Sequence, residues 1–528
     1  MAFRRQVLLM ITMLTGLQRK LNGVLQMILF KPLVGGKHMP EIFIGIRSRS
    51  KFFLTTKDLE VLIKNVFFGF AATLIIGGCS TLNSDEQLKK LGQEVTTYSE
   101  IEAAISIDPG VDSSHDLIVD EILQHSVNLV EVQKIALLNS NELKALVAAA
   151  LSDMASAEQG GRMSNPRFAF ERLSSPNELE LTRVLTLGIF DLLTLPKRKS
   201  LADAQVNLIQ LSMTSAVIKH LTETKVAWVR AVAAEESREY AKKSMSSAAA
   251  SAELAKRMER VGNFNKLERA REQIYYANSA TKHALARNEA SMARENLARL
   301  LGLNSSQQRN LKLPRRLPEL PDTIVGVETL EQAVNQSRID IRLAKNEVLM
   351  LGEAQGLEFL TSFTDVEMSL IDQTKLGGER STSDGFELEI VLPVFDWGDQ
   401  KREVMSQRTR SAVFRYQHVA QSAVIELRQS YETYLTSYDV AKHYRDEIVP
   451  LQKLISEENL LRYNGMIIGV FELLADSREQ ISAVLGAIES KRKFWISHVA
   501  LDASLIGNPM SLASNEIQKK QVSENQGH

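Results

Sequence analysis

An internal duplication constrains this chain more than any other feature of its sequence. One motif reads LGIFD at Leu187–Asp191 and LPVFD at Leu392–Asp396, and a second reads Arg-Glu-Gln from Arg271 and again from Arg478. Leu392 lies 205 residues after Leu187, and Arg478 lies 207 residues after Arg271. We infer that a unit of roughly 205 residues occurs twice, as it does in repeat architectures.

Each copy of the unit contains a long stretch rich in Ala, Leu, Glu and Arg between the two motifs. Because a helix rises about 1.5 Å per residue, helices from about 197 to 258 and from about 399 to 460 would each measure on the order of 90 Å. That length exceeds the depth of an ordinary globular core. The 528 residues are therefore expected to form one elongated architecture rather than three or four separate domains.

Charge and motif content exclude several classes of function. A formal net charge of −1 provides no basic field that would attract nucleic acid. The sequence has no glycine-rich phosphate loop, and neither His220 nor His283 has a ligand partner four residues later. We therefore expect no enzymatic activity, no cofactor, no bound metal and no nucleic-acid partner.

The single cysteine follows a segment that looks like a secretory signal. Lys64 precedes the apolar run Val66–Ile76, and Gly77, Gly78 and Cys79 follow it. A positive start, a short apolar stretch and small residues are the layout of such a signal, and the run is too short to span a bilayer. The sequence from Ile76 to Cys79 also resembles the lipobox of bacterial lipoproteins, which implies that Cys79 becomes a lipidated N-terminus. The alternative is a buried structural cysteine at the end of a helix.

These features predict six segments along the chain. In order, they are an N-terminal extension with a lipoprotein signal (1–78), a lipid-anchored tether (79–115), the first repeat (116–303), a linker (304–329), the second repeat (330–507) and a disordered tail (508–528). Within the repeats, strands are predicted at about 165–193 and 365–394, and helical hairpins at about 197–303 and 397–507.

Two candidate strands precede the long helix of each repeat. The clearest strand places Phe386, Leu388 and Ile390 on one face and Glu387 and Glu389 on the other. Strands of about 9–11 residues with one apolar side are typical of transmembrane barrels. The alternative is a pair of soluble hairpins packed on helices.

A membrane location would require several chains to share one barrel. Four strands are too few to close, and an open edge cannot lie in lipid because its backbone groups would be unpaired. Three copies would supply twelve strands, with Phe386, Leu388 and Ile390 facing the lipid.

Three further motifs lie at the junctions and tips of the predicted helical hairpins. They are Leu392–Gly398 where a strand enters the second long helix, Arg257–Asn263 with Lys266-Leu267-Glu268 at the first tip, and Arg462–Met466 with Val470–Leu474 at the second. The closing segment from Phe494 to Gly507 adds a fourth. Together these motifs resemble the TolC family of outer-membrane efflux channels over about residues 116–507.

The resemblance implies a mainly α-helical protein with a membrane β-barrel. The homotrimer would form a 12-stranded barrel in the outer membrane, continued by an α-helical tunnel through the periplasm. The implied function is the outer-membrane channel of a tripartite efflux system, a passive exit duct for small molecules or metal ions. Its partners would be a periplasmic adaptor protein, an inner-membrane pump and outer-membrane lipid.

Two other functions remain open at this point. The exit duct of a type I protein secretion system has the same fold and would differ only in its cargo. A periplasmic coiled-coil adaptor also contains long helical hairpins, but it would lack amphipathic strands and would carry a lipoyl-like β-domain, which the sequence does not show.

The resemblance also implies roles for residues at the two tips. The residues that would dock on the adaptor are Arg257, Gly262 and Asn263 in the first tip and Arg462, Gly465 and Met466 in the second. Family channels narrow at the periplasmic end, where acidic side chains form a ring. Glu472 occupies the first acidic position of this gate, while the second falls on Ala475, with Asp476 one residue later. The alternative for Glu472 is an outward-facing charge on a helix surface.

Overall fold

Helices make up most of the structure, and four strands form a small antiparallel sheet. The computed structural model describes residues 83–99, 101, 112–324, 338–362, 365–377 and 380–509, all within one unit from Ser80 to His528. Within these ranges, none of the helices combines the length and apolar character needed to cross a membrane. Predictions for Cys79, for the residues before it and for the tail from 510 to 528 lie outside the described residues.

The two halves of the chain repeat one order of elements: helix, strand pair, long helix and return helix. The first half contains α1 (Ser84–Tyr98), α2 (Asp112–Ile122), α3 (Leu129–Asn139), α4 (Asn141–Gly160), β1 (Arg167–Ser174), β2 (Leu179–Gly188), α5 (Ile189–Arg260) and α6 (Lys266–Leu301). The short α7 (Ser305–Asn310) follows. The second half contains α8 (Ile339–Thr361), β3 (Val366–Leu376), β4 (Ser381–Ile390), α9 (Asp399–His443), α10 (Val449–Asn464) and α11 (Val470–Ile506).

The long helices give the molecule two arms. Helix α5 has 72 residues, which corresponds to a length of about 110 Å. Helices α9 and α10 form a second arm that is interrupted only by a π-helical turn at Tyr444–Ile448. Each arm returns through an antiparallel helix, α6 or α11.

The sheet runs in the order β1-β2-β3-β4, and every pairing is antiparallel. Its register places Phe168, Leu185, Leu370 and Phe386 opposite one another across the four strands. Glu367 lies opposite Glu389, three positions along the strands from this row, on the other face. Toward this end of the strands the sheet therefore has one apolar and one polar face, while farther along the strands the apolar face carries the Arg183–Asp372 ion pair, at 2.7 Å.

Two strand ends differ from the sequence prediction. Strand β2 ends at Gly188 and not near residue 193, and β4 ends at Ile390 and not near residue 394. The apolar residues after Gly188 fit a helical period as well as a strand period. The helix is favoured because Asp191 lies in its first turn and pairs with Arg198 two turns later, at 3.0 Å.

The segment predicted to be a tether contains a packed helix. Helix α1 buries Leu91 and Val95, which lie one turn apart. Arg342 of α8 donates hydrogen bonds to both carboxylate oxygens of Glu94, at 2.9 and 3.1 Å, and these bonds raise the pKa of Arg342. Residues 84–98 of the predicted tether thus form a packed helix, which their polar character did not indicate, and the lipid anchoring of this segment stays a prediction.

Two hydrophobic clusters hold the helices together. In the first, Trp228 of α5 is buried and its indole Nε1 donates to the carbonyl oxygen of Val127 at 2.9 Å. In the second, Phe494 of α11 is fully buried, with its ring 5.5 Å from that of Tyr434 and 5.7 Å from that of Tyr438. Burial of one such side chain is worth about 1.5–3 kcal/mol.

The predicted linker packs along these clusters. Leu311, Leu317 and Leu320 are buried, and the indole Nε1 of Trp495 donates to the carbonyl oxygen of Pro318 at 3.0 Å. These contacts tie the connection between the repeats to helices of both halves.

Candidate functional site

The apolar face of the sheet is uncovered in the single chain. Phe386, Leu388 and Ile390 are exposed on this face, and Leu388 lies opposite Met368 of β3. The sequence prediction that these three side chains share one face agrees with the register. A large exposed apolar surface of this kind marks a contact with another protein or with lipid.

Both edges of the sheet are also open. Every residue of β1 and of β4 is exposed, and each of these strands pairs on one side only. The outer backbone N–H and C=O groups of an edge strand are a template for pairing with another chain. The sheet thus combines an apolar face with two unpaired edges.

The tips of the helical hairpins carry the residues predicted to dock on an adaptor. Arg257 lies in the last turns of α5, and Gly262 and Asn263 lie in the loop before α6. In the second tip, Arg462 lies in the last turn of α10, and Gly465 and Met466 lie in the loop. Whether these residues bind a partner stays a prediction.

The two tips touch each other and differ in conformation. Phe264 of the first tip stacks on Phe471 of the second, with ring centroids 4.4 Å apart. Asn265 and Glu268 form a reciprocal capping box at the start of α6, which fixes the first loop. Met466 in the second loop is 93% exposed and has a φ of 58°, in the left-handed region that costs a non-glycine residue about 1–2 kcal/mol.

The two acidic residues predicted for the gate have different surroundings. Glu472 lies exposed in the first turn of α11, where the helix dipole favours a negative charge. Asp476 is only 7% exposed, and its Oδ1 accepts a hydrogen bond from Nε2 of Gln452 at 3.3 Å. Its Oδ2 has no hydrogen-bond partner among the described residues. Of the two, only Glu472 is free to face an opening.

A buried ion pair near the tips was not predicted from the sequence. Glu272 of α6 is 2% exposed and accepts a hydrogen bond from Nη2 of Arg478 in α11. The Arg478 guanidinium also lies over the ring of Tyr275, 4.1 Å from its centroid. In the described part of the chain, Glu272 Oε2 and Arg478 Nε have no hydrogen-bond partner. This pair joins the return helices of the two hairpins.

The signal for this pair was present in the duplicated motif. Glu272 belongs to its first copy, which starts at Arg271, and Arg478 starts its second copy. The ion pair therefore joins the second residue of the first copy, Glu272, to the first residue of the second copy, Arg478.

We predict that the pair controls how tightly the two tips are held together. Arg478→Gln leaves a buried carboxylate unpaired, which should cost up to about 3–5 kcal/mol and speed hydrogen exchange at both tips. Glu272→Gln combined with Arg478→Gln should be less damaging than Arg478→Gln alone, because the buried charge is gone.

Arg257→Gln provides the control, since Arg257 pairs with Glu253 on an exposed surface and should contribute about 0–1 kcal/mol. Equal exchange rates in Arg478→Gln and Arg257→Gln would contradict a role for the buried pair.

Comparison with known proteins finds similarity at the level of the fold. No protein-family model and no curated protein matches the chain at the sequence level. The Campylobacter jejuni CmeC outer membrane channel matches 81% of this chain and 93% of its own, with 15% identity and a TM-score of 0.59. The Vibrio cholerae outer membrane protein VceC matches 75% and 96%, with 14% identity and a TM-score of 0.56.

The Neisseria gonorrhoeae MtrE outer membrane channel, in its open state, matches 73% of this chain and 89% of its own, with 17% identity and a TM-score of 0.57. Identities this low establish a shared architecture only. These structural matches and the duplicated arrangement of sheet and helical hairpins agree with the resemblance found in the sequence. The chain therefore has the fold of the TolC-family outer-membrane channels.

Proposed function

We propose that this protein is the outer-membrane channel of a tripartite efflux system and acts as a passive exit duct for small molecules or metal ions. The observation that carries the proposal is the four-stranded sheet, which has an apolar surface around Phe386, Leu388 and Ile390, a polar opposite face and two open edges. Each strand pair continues into a helical arm on the order of 100 Å long. A duct through a membrane and an adjoining aqueous compartment needs both parts.

A homotrimer satisfies the open edges. Strand β4 of one copy would pair with β1 of the next, so that three sheets close into a barrel of twelve strands. The exposed apolar face, with Phe386, Leu388 and Ile390, would then contact lipid, and the polar face with Glu387 and Glu389 would line the lumen. Closure removes every unpaired edge from the hydrocarbon region.

The helical arms would form the periplasmic tunnel, with the hairpin tips at its far end. The exposed loop around Met466 and the first tip around Gly262 would contact a periplasmic adaptor and an inner-membrane pump. In this role the protein has no catalytic step and needs no cofactor, because the pump supplies the energy.

The barrel predicts a strong difference between the two faces of β4. Leu388→Arg would place a charge in lipid, which should cost about 2–4 kcal/mol near the bilayer midplane. Glu387→Arg is the matched control, since it places the same side chain one residue away on the polar face. The measurement is the fraction of trimer that inserts into vesicles after purification in detergent. A stable, membrane-inserted monomer, or equal losses in both variants, would refute the shared barrel.

The gate predicts that Glu472 contributes to cation selectivity. Three copies of Glu472 around a narrow mouth would attract cations. Glu472→Gln should lower the preference for cations and the block by multivalent cations, with trimer stability unchanged. Glu121→Gln, which removes an exposed carboxylate from α2, is the control. Single-channel recordings in planar bilayers decide: unchanged selectivity and block would remove Glu472 from the pore.

The lipid anchor predicts a defined N-terminus. If Cys79 is acylated after signal cleavage, the mature protein starts at Cys79 and carries the mass of its attached lipid. Mass spectrometry of protein purified from membranes measures this directly. An unmodified Cys79 within a longer intact chain would contradict the anchor but not the channel.

A further inference from the structure

The second hairpin tip contains an asparagine followed by a glycine. Asn464 is the last residue of α10, Gly465 follows it as the C-cap, and both residues are exposed. Because glycine has no side chain beside its amide nitrogen, this nitrogen reaches the side-chain amide carbon of the asparagine more easily than when a larger residue follows. The same dipeptide occurs at Asn22-Gly23, which lies outside the described residues.

A hydrogen-bonded cap holds this dipeptide in the folded tip. The N–H of Gly465 donates to the carbonyl oxygen of Leu461 at 2.9 Å. The N–H of Ile467 donates to the carbonyl oxygen of Arg462 at 2.9 Å, as in a Schellman motif. The nitrogen of Gly465 becomes a nucleophile only after it has lost its proton, so its hydrogen bond to Leu461 must break first.

The cap of the second tip is weaker than the cap of the first. Both tips use the same motif, in which the residue after the C-cap is left-handed: Gly262 in the first tip, with a φ of 82°, and Met466 in the second, with a φ of 58°. The N–H of Gly262 donates to the carbonyl oxygen of Glu259 at 3.0 Å, and the N–H of Met466 donates to that of Tyr463 at 2.9 Å. Glycine adopts this conformation without the cost that methionine incurs. The last turn of α10 therefore opens more readily than the last turn of α5.

We propose that Asn464 is a deamidation site, which reacts when the last turn of α10 opens. The nitrogen of Gly465 loses its proton to hydroxide and attacks Cγ of Asn464. The N–Cγ bond forms, the Cγ–Nδ2 bond breaks, and the side-chain nitrogen takes up a proton from water and leaves as ammonia. A water molecule then opens the resulting succinimide at one of its two carbonyl carbons and yields aspartate or isoaspartate. The sum of these steps converts one amide and one water into one carboxylic acid and one ammonia, and it does not depend on the proposed channel function.

The product changes both the charge and the main chain of the second tip. Each converted copy gains a carboxylate at the C-terminal end of α10, where the helix dipole disfavours a negative charge. Glu457 and Glu458 on α10 and Glu472 on α11 are already exposed carboxylates. Isoaspartate also adds a carbon atom to the main chain, which alters the spacing of the groups that form the cap. A converted tip is therefore more acidic and less ordered than an unconverted one.

Peptide mapping by mass spectrometry tests the site. The full chain is purified in detergent, incubated at neutral and at mildly alkaline pH, and digested with trypsin, while a sample digested without incubation gives the baseline. In the tryptic peptide 463–478, Asn464 carries the only side-chain amide, so any conversion of amide to carboxyl in this peptide belongs to Asn464. Peptide 261–266 of the first tip is the internal control, because its asparagines precede phenylalanine and lysine. Peptide 463–478 should convert faster than the control, at a rate that rises with pH.

Two variants separate the attack from the opening of the helix. Gly465→Ala should slow the conversion about tenfold, because a side chain restricts the approach of the nitrogen. The added Cβ would lie 3.5 Å from the carbonyl oxygen of Leu461 and therefore fits the folded tip. Met466→Gly should slow the conversion about fivefold, because glycine removes the cost of the left-handed conformation and keeps the cap closed. Met292→Ala, an exposed change on α6, is the control and should leave the rate unchanged.

Three results would overturn the proposal. If peptide 463–478 converts in urea but stays unconverted in the folded chain, the cap protects Asn464 completely. If peptides 463–478 and 261–266 convert at the same rate, the glycine after Asn464 gives it no special reactivity. If Met466→Gly leaves the rate unchanged, opening of the last turn of α10 does not control the reaction. None of these measurements involves conductance, so each outcome is independent of the channel function.

Discussion

The rest of this structure depends on the unpaired backbone groups along the edge strands β1 and β4. In hydrocarbon each such group costs several kcal/mol, so a sheet with two open edges is tolerable there only when other copies pair with it. The two faces of the sheet are consistent with that demand, since Leu388 lies on an apolar face and Glu387 on a polar one. The duplication supplies two strand pairs and two arms from one chain, which lowers the number of copies needed to close a wall.

The sequence anticipates those parts of the fold whose pattern is local. Alternation in β4 and the length of the arms are visible because each depends on neighbouring residues. The boundary at Gly188 is missed because Ile189 and Phe190 suit a strand and a helix equally, and the Asp191–Arg198 pair decides between them. Helix α1 is missed because the segment is mostly polar and its ion-pair partner, Arg342, lies in the other half of the chain.

In the candidate site, too, the sequence identifies local features and misses those that depend on contacts between distant residues. The spacing of Glu472 and Asp476 could not show that the first is exposed and the second is buried, because both lie near the start of α11. The Glu272–Arg478 contact depends on how the two hairpins pack. Both residues belong to the repeated motif, but the motif does not show that they are in contact. A buried pair of this type contributes little net stability, yet removing one partner leaves an uncompensated charge. It therefore specifies which packing of the tips is allowed.

The π-helical turn at Tyr444–Ile448 has a consequence for helical phase. A π turn holds one residue more than an α turn, so α10 is rotated by about 100° relative to an uninterrupted continuation of α9. The ring of Tyr444 occupies the space beside Gly486, where a Cβ would approach it to 2.6 Å. The helical phase of α9 therefore predicts the wrong face of α10 as the one that contacts neighbouring helices. Any alignment of the second arm with the uninterrupted α5 must change register at this turn.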